Sequence, residues 1–151
     1  SDNVYKDGKG IISFSGGDLK SIGNTAFMSC TNLKSVVIPD CVTHIEPGAF
    51  QNCTSLTSIN IPDNVIRIDA AFLGCSALTS ISIPKNVTQI AQYAFSDCTS
   101  LTRVEVKAAV PPTIFSETFD NSTALKIYVP KESIDAYKAA NYWKDLNLLA
   151  K

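Results

Sequence analysis

Residues 38–59 read IPDCVTHIEPGAFQNCTSLTSI, and this unit recurs through most of the chain. Its phenylalanine, cysteine and leucine stand three residues apart, and each forms a column at intervals of 22 or 23 residues. The columns are Phe27, Phe50, Phe72 and Phe95; Cys30, Cys53, Cys75 and Cys98; and Leu33, Leu56, Leu78 and Leu101. Apolar columns at a fixed period of this length predict a solenoid in which each repeat forms one coil.

Residues 56–62 predict one strand in each coil. Ile59 and Ile61 alternate with polar residues, which is the period of a strand with one buried face. Pro62 has no N–H and ends the ladder of hydrogen bonds there. The Ala-Phe-x-x-Cys spacing at 49–53 is helical and predicts a short helical turn that closes the coil. Strands of successive coils are therefore expected to stack as one parallel sheet.

The third unit is one residue shorter than its neighbours. Residues 68–72 read IDAAF where residues 45–50 read IEPGAF. Because the apolar columns resume in register afterwards, we expect the missing residue to belong to a surface turn.

Both ends depart from the repeat, as the caps of a solenoid do. Ile12 and Phe14 predict a degenerate strand at the start, and residues 133–140 predict a helix that covers the open end of the core together with Trp143. We therefore expect a single domain over residues 1–151. Its parts are an N-terminal cap and degenerate repeat at 1–21, four repeats at 22–110, and a last degenerate repeat with a capping helix at 111–151.

The composition excludes several classes of protein. Apolar residues make up 45% of the 151 residues and charged residues 18%, which is typical of a folded chain. The net charge is −1 with no basic stripe, so nucleic-acid binding is not expected. No apolar run approaches the roughly 18 residues of a membrane span. Residues 1–8 are polar, so the signal peptide of an exported protein would have been removed ahead of this sequence.

The chain has five cysteines and no Cys-x-x-Cys pair. Stacked coils would place neighbouring members of the cysteine column roughly 5 Å apart, which is within disulfide reach by distance. Because the column is flanked by phenylalanine and leucine, we expect its four members to be free and buried as small apolar side chains. Cys41 falls outside the column and is expected to be the more exposed or reactive thiol.

The sequence offers no catalytic, metal-binding or cofactor-binding site. His44 is the only histidine, which leaves no Ser-His-Asp triad and too few ligands for zinc. Arg67 and Gln89 fill its column in the next two coils, so we expect His44 to face solvent. No phosphate-binding loop and no Gly-x-Ser-x-Gly elbow is present. A hydrolase therefore ranks behind the two non-enzymatic functions considered below.

Strand residues that point away from the core form the candidate partner-binding surface, here called the strand face. Its members are Ser35, Val37, Ser58, Asn60, Ser80, Ser82, Arg103 and Glu105. Solenoids commonly bind partners on such an extended wall. This one is polar and lacks aromatic anchors, which usually dominate binding energy. Either its serines only keep an exposed strand soluble, or they form a shallow polar surface for a protein or glycan, with Arg103 as the best anchor.

The unit I-P-x-x-V-x-x-I-x-x-x-A-F-x-x-C-x-x-L-x-x-I, which residues 38–59 match at every fixed position, resembles the BspA-like branch of the leucine-rich repeats. Residues 111–113 (PPT), 128–130 (YVP) and 136–140 (AYKAA) resemble the usual ending of that family. The resemblance covers about residues 12–145. It implies a leucine-rich-repeat solenoid, which is a β-rich, right-handed β/α superhelix with short helical turns and a C-terminal capping helix.

One detail is also similar to ordinary leucine-rich repeats. Cys41, Asn64 and Asn86 stand three residues after the last strand position, where those repeats carry a turn-capping asparagine or cysteine. Ala109 holds this position in the last full unit, so the ladder is expected to stop before it.

Members of the BspA-like branch are mostly secreted or surface-anchored bacterial proteins, and several are regarded as adhesins. The resemblance therefore implies an extracellular or cell-surface setting. We expect a non-enzymatic, monomeric module that binds a host matrix protein, a cell-surface protein or a glycan and serves in adhesion to host or neighbouring cells. The alternative is a structural spacer that displays other parts of a surface protein and has no ligand of its own.

Overall fold

In the computed structural model, the protein is described at residues 4–6, 9–11 and 19–151. The degenerate strand expected at Ile12 and Phe14 lies outside these residues. The described strands are β1 (Val4–Lys6), β2 (Lys9–Ile11), β3 (Ser21–Ile22), β4 (Ser35–Val37), β5 (His44–Ile45), β6 (Ser58–Asn60), β7 (Arg67–Ile68), β8 (Ser80–Ile83), β9 (Gln89–Ile90), β10 (Arg103–Val106), β11 (Lys126–Val129) and β12 (Leu148–Ala150). The helical elements are a 3-10 helix (Lys131–Ser133), the helix α1 (Ile134–Ala139) and a second 3-10 helix (Trp143–Asp145).

Each full coil contributes strands to two walls of the solenoid. The side wall is a four-stranded parallel sheet in the order β3-β5-β7-β9. The main wall contains the remaining strands, and all of its pairs are parallel except the antiparallel pair of β1 and β2. Equivalent residues lie side by side, for example Ile45 with Ile68 and Val36 with Ile59. The prediction of a solenoid of stacked parallel strands is confirmed.

The main wall is two sheets rather than one. Their strand orders are β1-β2-β4-β6 and β8-β10-β11-β12. β6 and β8 lie side by side, but no ladder of strand pairing joins them in the described part of the chain. The expectation of one uninterrupted sheet is wrong at this step.

The interruption falls in the coil that is one residue short. The equivalent strand positions 59 and 81 are 22 residues apart, whereas 81 and 104 are 23 apart. Two residues before the phenylalanine column, the other full units carry a residue with positive φ: Thr25, Gly48 and Tyr93. Ala70 holds this place in the short unit without a positive φ. The shortened segment between β6 and β8 therefore follows a different backbone path from the equivalent segments of the other coils.

A column of phenylalanine rings runs along the core. Phe27, Phe50, Phe72, Phe95 and Phe119 stack in order, with neighbouring centroids 5.3 to 5.6 Å apart and interplanar angles of 3° to 7°. The three middle rings are fully buried. The column thus extends one coil beyond the four regular repeats.

The C-terminal end of the core is closed by Tyr137 on α1 and by Trp143, both of which are buried. Trp143 continues the ring column at 6.3 Å from Phe119 and meets Tyr137 edge-on at 5.0 Å. Both polar groups are paired: the Tyr137 hydroxyl donates to the Ala108 carbonyl at 2.8 Å, and Trp143 Nε1 donates to the Pro112 carbonyl at 2.7 Å. These bonds let two large amphipathic side chains cap the core without an unpaired donor.

Candidate functional site

The eight predicted partner-binding residues lie on the outer side of the main wall. In each strand they flank a buried or half-buried residue that faces the core. The neighbours across strands are Ser35 with Ser58, Val37 with Asn60, Ser80 with Arg103, and Ser82 with Glu105. The strand face is therefore two groups of four, one on each side of the break between β6 and β8. Partner binding by these residues stays a prediction.

Asn60 already has a structural partner. The Ile38 N–H donates to Asn60 Oδ1 at 2.8 Å, and Asn60 Nδ2 donates to the Ile38 carbonyl at 3.3 Å. The side chain thus satisfies backbone groups just beyond β4, as a further residue of the ladder would. Its amide group is therefore already engaged by the backbone, although the residue is exposed.

Tyr128 on β11 belongs to the same outer face. It alternates with the buried residues Ile127 and Val129 and lies beside Glu105 across the strands. The guanidinium of Arg103 covers its ring, with Cζ 3.7 Å from the ring centroid. The expectation that this face lacks aromatic residues is therefore wrong. The alternation used for the regular strands would have found Tyr128, had it been applied to the degenerate last repeat.

Glu105 stands between two cations. Lys151 Nζ donates to its Oε1, and Arg103 Nη2 lies 3.7 Å from its Oε2. The hydrogen bond from Lys151 lowers the pKa of this carboxyl, and the charges of Lys151, Arg103 and Lys107 lower it further. Glu105 is therefore an ionised, partly shielded carboxylate in a basic neighbourhood.

A shallow groove of about 270 Å³ opens on the strand face at the break between the two sheets. Its lining residues are Ser58, Ile59, Ser80, Ile81, Ser82, Arg103 and Glu105. Ser82 Oγ is buried and has no hydrogen-bond partner in the described part of the chain. The groove combines a small apolar area at half-buried Ile59 with hydroxyls, one cation and one anion, so it suits a polar ligand better than an apolar one.

The cysteine column forms a ladder of thiols. Each buried thiol donates to the phenylalanine carbonyl of the preceding coil: Cys53 to Phe27 at 3.0 Å, Cys75 to Phe50 at 3.2 Å and Cys98 to Phe72 at 3.3 Å. All five cysteines are free. Burial raises the pKa of Cys53 to about 11 and that of Cys98 to about 12, and it raises the pKa of Cys75 further still. These three thiols are therefore structural.

Cys30 departs from the expectation for its column. It is exposed, whereas Cys41, which was expected to be the exposed thiol, is half-buried. The column position is buried only where a preceding full repeat stacks over it, and Cys30 belongs to the first full repeat. The prediction that all four members are buried is wrong for this residue.

The turn ladder is confirmed for Asn64 and Asn86, and its expected member Cys41 stays a prediction. Asn64 Nδ2 donates to the Asp40 carbonyl at 2.6 Å, and Asn86 Nδ2 donates to the Asp63 carbonyl at 2.8 Å. Each asparagine thus ties its turn to the preceding coil, which holds the register between coils.

His44 lies in a column with Arg67 and Gln89 on the side wall, as its spacing predicted. It is half-buried, and its Nδ1 is 2.9 Å from the Thr43 hydroxyl. Within residues 19–151 and the two short N-terminal strands, no three histidine, cysteine, aspartate or glutamate residues converge as metal ligands. In the same residues, no helix is long and apolar enough to span a membrane.

The repeating Leu-Phe-Cys core, the parallel walls and the capped end define a leucine-rich-repeat solenoid. The sequence model of the family described as "BspA type Leucine rich repeat region" matches residues 20–146, with 6 copies of the repeat. The chain belongs to this family, and the match extends past residue 110 into the degenerate last repeat.

Two solved structures are similar to the chain. A leucine rich cell surface protein from Faecalibacterium prausnitzii matches with a TM-score of 0.66 and 32% identity, over 85% of this chain and 32% of its own. A leucine-rich repeat protein from Bacteroides ovatus matches with a TM-score of 0.42 and 22% identity, over 78% of this chain and 44% of its own. The chain thus spans about a third of the first protein and under half of the second. No curated protein matches the chain. The family and the first of these proteins point to an extracellular or cell-surface location.

Proposed function

We propose that the chain is a non-enzymatic extracellular module that binds a protein or a glycan through its strand face and serves in adhesion of a bacterial cell to host or neighbouring cells. One domain, organised as a capped run of repeats, carries this function. The partner is a host matrix protein, a cell-surface protein or a glycan, and the module acts as a monomer.

The observation that carries the proposal is the anchored arginine beside the groove. Arg103 is held over Tyr128 by a ring contact and beside Glu105 by its charge. Arginine and tyrosine are the residue types that most often dominate binding energy at protein surfaces, and a side chain held in place loses less entropy on binding. The serines of β4, β6 and β8, on one side of Arg103, supply small hydroxyl side chains.

A structural spacer is the second candidate. It is favoured by the stack of rings from Phe27 to Phe119, because such a continuous core makes a stiff rod. A spacer needs no ligand, so the two candidates differ in whether the strand face binds anything.

The test is a solid-phase binding screen of the purified chain against host matrix proteins and a glycan array. The double variant Arg103→Ala/Glu105→Ala removes one cation and one anion from the strand face. The matched control Asp63→Ala/Lys85→Ala removes the same two charges from exposed turn positions. We expect saturable binding that the strand-face variant loses and the control retains.

Absence of binding at tens of micromolar to every surface in the screen would favour the spacer. Binding that both variants retain would move the binding site away from the strand face.

A further inference from the structure

The hydroxyl group of Ser82 is buried and unpaired among the described residues. Its Oγ is the only buried side-chain nitrogen or oxygen without a hydrogen-bond partner in the part of the chain that the structure describes. It lines the groove together with Ser58 and Ser80, whose hydroxyls also make no hydrogen bond to a described residue. A buried hydroxyl without a partner costs free energy. Rotation about χ1 would bring this hydroxyl into the groove, where a hydroxyl group of a ligand would remove that cost.

Arg103 has N–H groups that are free to bind a ligand. Tyr128 covers one flat face of its guanidinium, and the nearest carboxylate oxygen, on Glu105, is 3.7 Å from Nη2, beyond hydrogen-bond distance. The N–H groups at the edge of the guanidinium therefore make no hydrogen bond to a described residue. A planar fork of donors with free edges matches the two oxygens of a carboxylate.

The charges around the groove favour an anion. Glu105 would repel a carboxylate if it stood alone, but Lys151 bonds to it directly. Lys107 lies close enough to contribute to its lowered pKa, as Arg103 does. Three cations thus surround one anion, and the field at the groove is positive.

The shape of the groove favours a sugar over a peptide. A peptide that extends a sheet needs a free strand edge with about 4.8 Å of space beside it. The edges of β6 and β8 face each other side by side across the break and leave no room for a strand between them. Ile59 is only half-buried, and the small apolar area that it leaves open in the groove suits the C–H face of a sugar ring. The volume of about 270 Å³ is at the small end of ligand sites, enough for one or two rings.

From these observations we infer that the groove binds a carboxylate-bearing sugar unit of an acidic glycan. Arg103 holds the carboxylate by paired hydrogen bonds, Tyr128 fixes Arg103 in place, and the hydroxyls of Ser58, Ser80 and Ser82 pair with ring hydroxyls. The inference rests on the proposed function, since it names the ligand class of the same face.

The test is a titration of the full chain, followed by NMR chemical shifts, with four probes. They are a glucuronate-containing disaccharide, its methyl ester, sodium acetate and a glutamate-rich peptide. The variants are Arg103→Gln, Arg103→Lys and Ser82→Ala, and the control is Lys85→Gln, which makes the same charge change in an exposed turn. The NMR spectrum of each variant without ligand shows whether it is folded.

We expect the disaccharide to bind saturably and to shift the amides of β6, β8 and β10. The methyl ester and the Arg103→Gln variant should each weaken binding about ten- to a hundredfold, the range for a charge-assisted hydrogen bond. Arg103→Lys should keep the charge but bind several-fold more weakly, and Ser82→Ala should also bind several-fold more weakly. Lys85→Gln should bind as the natural chain does.

Equal binding of the ester, equal binding of acetate alone, tighter binding of the peptide, or no shift at millimolar sugar would each overturn the inference. If the screen finds a ligand that needs Arg103 and Glu105 while the acidic sugar does not bind, the proposed function stands and only the ligand class is wrong.

Discussion

The guanidinium of Arg103 lies over the ring of Tyr128, with its Cζ 3.7 Å from the ring centroid. The two residues come from β10 and β11, whose register sets Arg103 beside Lys126 and Glu105 beside Tyr128. The stack is therefore diagonal across two strands, a spacing that long side chains can bridge. It ties Arg103, the best anchor of the strand face in the fourth repeat, to the degenerate last repeat next to the C-terminal cap.

This stack should contribute measurable coupling between the two residues. A cation over an aromatic ring at a partly exposed site contributes about 0.5–1 kcal/mol. We expect that coupling energy from a double-mutant cycle of Arg103→Ala and Tyr128→Ala, measured as free energies of unfolding in urea. Tyr128→Phe keeps the ring face and should retain most of it. Effects that simply add would show that the contact does not hold Arg103 in place.

The five thiols should react in a fixed order. Cys30 is exposed and should react first with a thiol reagent in the native protein, followed by half-buried Cys41. Cys53, Cys75 and Cys98 are inaccessible, and their raised pKa values leave little thiolate, which is the reactive species. Native titration should therefore count two thiols, and titration in denaturant should count all five.

A Cys30→Ser variant is the control for that assignment and should lack the fast phase. Rapid reaction of a third thiol in the native state, or fewer than five thiols in denaturant, would contradict the ladder of buried free thiols.

The buried thiols should also make the fold sensitive to alkali. In the folded chain Cys53 keeps its proton up to a pH of about 11 and Cys98 up to about 12, whereas the ordinary value is 9.0. Above pH 9 the unfolded chain therefore loses protons that the folded chain retains, so stability falls as the pH rises through that window. The slope is at most about 1.4 kcal/mol per pH unit for each thiol.

The measurement is the free energy of unfolding in urea from pH 7 to pH 11. Cys53→Ala/Cys98→Ala will be less stable at pH 7, but its stability should fall less steeply above pH 9. Burial also raises the pKa of Tyr137, which contributes equally to both proteins. Identical slopes would show that the thiols ionise alike in the folded and unfolded chains.

The solenoid could be predicted because the sequence pattern that defines it is periodic. The columns of Phe, Cys and Leu repeat a buried position, and each coil repeats the evidence. Tyr128 was missed because the last repeat keeps the strand alternation but has lost the columns that draw attention to it. The break between β6 and β8 was missed because the apolar columns keep their register on both sides of the shortened segment that joins these two strands. Its path depends on backbone dihedral angles, such as those of Gly48 and Ala70, that no column of side chains records.

Cys30 illustrates a different limit. Residues in one sequence column are all expected to be equally buried. Their actual burial, however, depends on having a coil stacked on each side. The same reasoning applies to Phe27, which stacks on Phe50 on one side and is half-buried, while Phe72 lies between Phe50 and Phe95 and is fully buried. Position along the solenoid therefore sets what each residue contributes to stability.

The two rings should accordingly differ in their effect on folding. Phe72→Ala removes a ring that is buried on both faces and leaves a cavity between two coils, so we expect a loss of about 3–5 kcal/mol. Phe27→Ala removes a half-buried ring and should cost clearly less. Both variants are measured by urea unfolding, with Phe72→Leu as a control that keeps most of the volume. Since neighbouring coils depend on each other, Phe72→Ala should also lower the unfolding cooperativity, whereas Phe27→Ala should leave it unchanged. Equal losses for both variants would mean that each ring contributes independently of the coils stacked beside it.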